Sequence, residues 1–86
     1  MTDIKIGLGL RQFTDRDTFQ VKGNTPKECL DDLILQVPRI RNWIFDENGL
    51  LHVSLFINGK IAYREDLSRR LEEGDELAIL QLTEGG

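Results

Sequence analysis

Cysteine and histidine are almost missing from this chain: Cys29 and His52 are each the only residue of their kind. A lone cysteine can form no disulfide within the chain and no cysteine-based metal cage. The usual zinc ligand sets, and the Cys–His and Ser–His nucleophilic arrangements, fail on the same inventory. No glycine-rich phosphate loop with its lysine is present, so nothing in the sequence is patterned to hold a nucleotide. Basic charge is also short, with 11 Lys and Arg against 15 Asp and Glu, a net charge of −4 and an isoelectric point near 4.9. A general nucleic-acid binder needs a basic face to neutralise phosphates, and a polybasic membrane anchor needs a cluster of lysines or arginines; neither is expected here. No charged-then-apolar leader opens the sequence, and no apolar run approaches the roughly 18 residues of a membrane span. These absences make a cytoplasmic protein the expectation.

What is present is an ordinary globular composition: 86 residues, 40% hydrophobic and 30% charged. That supplies enough apolar side chain to fold and argues against intrinsic disorder. A chain of this size buries roughly 60–65% of the surface its unfolded form exposes. The length therefore allows one domain and one modest core, with no space for a large enclosed active site.

The residues from Ile4 to Arg11 alternate apolar with small or charged, as a half-buried strand does. Asp15-Arg16-Asp17 supplies turn chemistry, and Thr18 to Val21 alternates again, so a hairpin is expected. The helix is the best-specified element. Thr25 can cap it, Pro26 suits the first helical position, and Glu28 completes a T-x-x-E capping box. Leu30, Leu33, Ile34 and Val37 form one stripe, with Asp31, Asp32 and Gln36 off it, and Pro38 ends the helix. Cys29 flanks that stripe and reads as a small packing residue rather than a reactive thiol.

Arg39 to Gly49 reads as irregular, with Trp43, Ile44 and Phe45 covering the end of the core rather than forming a ligand cage. Leu50 to Ile57 is β-rich and closes on Asn58-Gly59, a tight-turn signal. Alternation puts Val53, Leu55 and Ile57 inward and Phe56 outward, and His52 reads as a solvent-side strand residue. Glu65 to Leu71 reads as a short helical turn. Arg69 and Arg70 are a solvated face with Asp66, Glu72 and Glu73 as neighbours. Leu77 to Leu82 is the final strand, with Leu77 and Ile79 facing the helix and Ala78, Leu80 and Leu82 facing the other way. Strands, a lone helix and more strands predict an α+β fold, a mixed sheet of four to five strands covered on one face.

Thr83-Glu84-Gly85-Gly86 follow the last strand. Four extended residues reach about 13 Å at ~3.3 Å each, and glycine, lacking Cβ, can thread a channel closed to larger residues. Taken alone, a final Gly-Gly reads as a frayed end. In company it carries more. The Phe56-Ile57-Asn58-Gly59-Lys60 turn, the Leu71-Glu72-Glu73-Gly74-Asp75-Glu76-Leu77-Ala78-Ile79-Leu80 run and Gly85-Gly86 follow each other in order. This whole-chain pattern resembles the ubiquitin-like (β-grasp) sulfur carrier family, which includes the small subunit of molybdopterin synthase (MoaD), ThiS and CysO. The segment from Arg39 to Leu51 makes the chain longer than the minimal ThiS pattern and closer to the molybdopterin-synthase and CysO branches. Two features depart from the family. Thr83 and Glu84 stand where small or apolar residues are common, putting a negative charge two residues from Gly86. Gly7 and Gly9 sit in the first strand, where larger side chains are usual.

The resemblance implies a β-grasp domain over residues 1–82 and a flexible tail over 83–86. It further implies that Gly86, preceded by Gly85, is the reactive terminus. A free carboxylate is ionised at neutral pH and a poor electrophile. A ubiquitin-activating-type adenylyltransferase of the MoeB/ThiF kind would adenylate it with ATP, and a sulfurtransferase or cysteine desulfurase would supply sulfur to form a thiocarboxylate. An acceptor synthase would then take the sulfur, in molybdopterin, thiamine, cysteine or related biosynthesis. The chain would bind no cofactor itself and would act as a protein cosubstrate rather than an enzyme, or as the small subunit of a synthase such as molybdopterin synthase. Phe56, Leu80 and Leu82 on the open sheet face, with Thr83 and Glu84 beside them, are the expected partner-binding residues. Two other readings stay open: a ubiquitin-like modifier joined through Gly86 to lysines of other proteins, and a plain interaction domain with an incidental ending.

Overall fold

Helix α1 spans Pro26–Gln36 in a computed structural model that describes residues 1–7 and 16–80. The Thr25 hydroxyl accepts from the Glu28 amide at 3.2 Å, so the cap forms as the sequence predicts. The reciprocal arm differs: the Glu28 carboxylate accepts from the Asn24 amide at 2.7 Å, one residue upstream of the cap. That still satisfies a donor next to the helix start. At the other end the Val37 amide reaches the Leu33 carbonyl at 2.8 Å before Pro38 breaks the ladder. Cys29, Leu30 and Leu33 are fully buried, while Ile34 and Val37 are half-buried at the margin of the core.

The helix lies on one face of a five-stranded mixed sheet. Its strands are β1 (Thr2–Ile6), β2 (Thr18–Val21), β3 (Ser54–Ile57), β4 (Lys60–Ile61) and β5 (Glu76–Leu80), in spatial order β2-β1-β5-β3-β4. The central pair, β1 with β5, is parallel; every other pair is antiparallel. Ile4, Ile6, Phe19, Val21, Leu55, Ile57, Leu77 and Ile79 point from the sheet into the core. This is the β-grasp architecture that the resemblance implies.

Three expectations need correction. The first strand starts at Thr2, before the alternation from Ile4, and within the described residues it ends at Ile6; the expected stretch from Leu8 to Arg11 lies outside them. Arg39 to Gly49 is not irregular throughout. A 3-10 turn over Pro38–Ile40 runs into a short helix α2, Arg41–Ile44. Ile40 and Ile44, one helical turn apart, are both fully buried and close the core at one end. Trp43 and Phe45 are only partly buried against it, and the Lys27 ammonium lies 5.4 Å from the Phe45 ring centre. Leu50 to Ile57 is not a continuous strand: it is extended only as an isolated Phe45–Leu51 bridge until β3 begins at Ser54. The bridging bonds, Asp46 amide to Leu50 carbonyl and His52 amide to Ile44 carbonyl, hold this part of the chain to the end of α2 and the residues after it instead of to the sheet.

Candidate functional site

The face of the sheet opposite α1 carries the residues on which a partner could dock, and register decides what they form. Phe56 on β3 lies beside Ala78 on β5 and Ile61 on β4. Leu80 lies beside Ser54. Across the parallel pair, the Gly7 amide donates to the Ile79 carbonyl at 2.8 Å, which sets Gly7 next to Leu80. A Cβ built on Gly7 would come within 2.5 Å of Leu80 Cδ2. The glycine that looks out of place in a strand therefore gives the Leu80 side chain its space on the surface. Leu80 and Ile61 are 37% and 47% exposed, Phe56 and Ala78 half-buried. Together they form one apolar strip across three strands, with Gly7 and Ser54 beside Leu80 and Lys5 beside Ala78.

Of the residues named from the sequence, Phe56 and Leu80 are brought to this one face. Leu82, Thr83, Glu84, Gly85 and Gly86 lie outside the described residues. Ala78 falls on this face as alternation predicts. Gly7 and Ile61 were not expected there, because their contributions depend on which strands are neighbours.

A second set of contacts fixes how β5 begins. Asn58 and Gly59 take positive φ, 52° and 83°, and close the β3–β4 turn. The Asn58 side chain then reaches β5: its oxygen accepts from the Glu76 amide at 2.9 Å, and its nitrogen donates to Asp75 Oδ1 at 2.9 Å. The other Asp75 oxygen accepts from the Glu72 amide at 2.8 Å. The Asn-Gly turn and the Gly-Asp-Glu turn, separate in sequence, are thus one clamp at the start of the last strand. These bonds, the Glu72 amide first and Asn58 second, hold the Asp75 carboxyl below its ordinary 3.8.

The remaining candidates for chemistry are structural. Cys29 is fully buried, and burial pushes its thiol up from 9.0, the opposite of an activated nucleophile. His52, Arg69 and Arg70 are exposed. Among the described residues no group of His, Cys, Asp and Glu is arranged to hold a metal ion, and no helix is long and apolar enough to cross a membrane.

Comparison with known proteins agrees with this geometry. The ThiS family matches residues 9–86. No curated protein matches the sequence significantly. SAMP1 from Haloferax volcanii is 28% identical over 99% of this chain and 98% of its own, with a TM-score of 0.81. A chain of the Amycolatopsis orientalis BexX/CysO complex is 26% identical over 100% of both, with a TM-score of 0.84. CysO of Mycobacterium tuberculosis, at 22% identity over 96% of this chain and all of its own, shares the fold with a TM-score of 0.83. The apolar strip, the clamp at β5 and the family match through the diglycine belong together: the chain is a member of the ThiS family, with the ubiquitin-like fold of small sulfur carriers and modifiers.

Proposed function

We propose that the chain is a sulfur carrier whose active form ends at Gly86. The carrying observation is the family match through Gly86, joined to a last strand whose final described residue, Leu80, belongs to an exposed apolar strip. In this reading a ubiquitin-activating-type adenylyltransferase docks on Phe56, Ala78, Leu80 and Ile61. The Gly86 carboxylate attacks the α-phosphorus of ATP on that enzyme, releasing pyrophosphate and forming an acyl adenylate. The persulfide of a sulfurtransferase or cysteine desulfurase attacks the acyl carbon and AMP leaves; a second thiol then cleaves the acyl disulfide, forming a disulfide with the donor cysteine and releasing the thiocarboxylate. The resulting thiocarboxylate gives its sulfur to a substrate held by an acceptor synthase, and water restores the carboxylate. The chain's own contribution would be a four-residue tail able to span about 13 Å when extended and a terminus without Cβ, both suited to a narrow active site. Thr83 and Glu84 lie in that reach, where a partner would contact them. A cytoplasmic location fits this role.

The similarity to SAMP1 favours a second reading, in which the same adenylate passes Gly86 to a lysine of a target protein. Intact mass after incubation with ATP, the activating enzyme and a sulfur source separates the two. Sulfur in place of one oxygen supports the carrier, and adducts on target lysines support the modifier. Neither product would refute both.

A further inference from the structure

The two edges of the sheet are finished differently. At the β2 edge, the register with β1 turns the Gln20 carbonyl and the Lys22 amide outward. Side chains of α1 occupy both: Gln36 Nε2 donates to the Gln20 carbonyl at 2.9 Å, and Asp32 accepts from the Lys22 amide at 3.0 Å. An approaching strand would find those positions taken.

Among the described residues the β4 edge has no such cover. The two-residue turn makes Ile57 and Lys60 a hydrogen-bonded pair, and the Ala62 amide donates to the Leu55 carbonyl at 2.8 Å. Phe56 and Ile61 between them form the non-bonded pair, so the Ile61 amide and carbonyl point away from the sheet. Neither has a partner among the described residues. Next to this edge runs a groove of about 530 Å³, walled by Leu50, Leu51, Val53 and Leu67. It lies where the chain from Asn48 to His52 is held to Asp46 and Ile44 rather than to β4.

Charge at this margin opposes that of the whole chain. Arg64 lines the groove, and Lys60 and Arg69 line the cleft on the other side of Ile61. Between Lys60 and Leu71 the cations are Lys60, Arg64, Arg69 and Arg70, against Glu65 and Asp66, in a chain of net charge −4. The Asp66 carboxylate is already engaged by the Tyr63 amide at 2.8 Å.

We propose that the partner docked on the open face continues over the β4 edge and lays an extended acidic segment along Lys60–Ile61. That segment bonds to the Ile61 amide and carbonyl and places one apolar side chain in the groove. The inference rests on the sheet-face docking reading and adds to it a second, electrostatically steered contact. Ile61 joins the two, since its side chain belongs to the strip and its backbone to the edge.

The test is binding of a purified ubiquitin-activating-type adenylyltransferase to the full chain and to three variants, each checked for an unchanged melting temperature. Leu50→Asp places a charge at the exposed groove rim and is expected to weaken binding about tenfold or more. The double variant Arg64→Glu, Arg69→Glu is expected to slow association and to remove most of its salt dependence. Phe56→Asp reports on the sheet face alone. In the wild-type complex, hydrogen exchange at the Ile61 amide should slow at least about tenfold. Unchanged binding by the Leu50 and Arg64/Arg69 variants, with loss at Phe56→Asp, would overturn the groove proposal and leave the sheet face standing. Unchanged exchange at Ile61 would remove the strand addition. Loss at Leu50→Asp with none at Phe56→Asp would overturn the sheet-face reading and retain the groove. A wild-type chain that binds no such enzyme would refute both.

Discussion

Strand β5 has two faces with opposite fates. Leu77 and Ile79 are buried under α1, whereas Ala78 is half-covered and Leu80 stands at the surface next to Gly7. Both faces are apolar, so hydrophobicity alone does not separate core from contact surface. The neighbours do. The inner residues meet Leu30 and Leu33 in one core cluster; on the outer face Leu80 meets Gly7 and Ser54, while Ala78 meets Lys5 and Phe56. An apolar side chain surrounded by small partners stays available to something outside the chain.

The largest expected effect on stability lies on the covered face. Leu33→Ala removes a fully buried side chain and should cost about 2–5 kcal/mol by cavity formation. Denaturant unfolding checks this. A loss within the surface scatter of about 0.5 kcal/mol would mean that the helix does not seal the core.

Leu80→Asp and Phe56→Asp probe the open face and should behave in the reverse way. Affinity for an activating enzyme should fall about tenfold or more, while the melting temperature shifts little. Calorimetric titration and thermal melts on the same samples make the comparison. If both variants unfold the protein, the strip is core and the distinction between the faces collapses.

A smaller effect comes from the clamp below β5. Asp75 has a folded pKa below its ordinary 3.8, so its contribution to stability is fully present above that value. It is lost as pH falls through the folded pKa. Asp75→Asn should therefore flatten the dependence of unfolding free energy on pH below about 4. Equal acid sensitivity in the two proteins would show that the Asn58–Asp75 contact does not couple the turns.

Much of this fold was legible in the sequence where a local rule acts alone. Thr25, Pro26 and Pro38 delimit α1 by capping and backbone restriction, and Asn58-Gly59 marks its turn because both residues take positive φ. Alternation in β5 sorted its two faces. Legibility failed where the decisive neighbour is distant in sequence. Ile40 and Ile44 have helical spacing, but Pro38 and the surrounding polar residues masked a helix only four residues long. Leu50 to Val53 has strand composition, yet Leu50 and His52 bond to Asp46 and Ile44, at the end of α2 and just beyond it. The open face was only half visible for the same reason. Phe56 and Leu80 follow from alternation, whereas Gly7 and Ile61 enter through register.

The central claim concerns Gly86, and intact mass spectrometry tests it most directly. The chain and a variant lacking Gly86 would each be incubated with ATP, the activating enzyme and a sulfur source. Both should melt alike if the tail contributes nothing to the core. Full-length chain should gain one sulfur in place of one oxygen. The truncated chain should gain none, because its carboxylate would sit about 3.3 Å short of the adenylation site and a misplacement of even about 1 Å can cost 10²-fold in rate. Equal charging of both proteins would contradict the account, since the diglycine would then have no part in the chemistry.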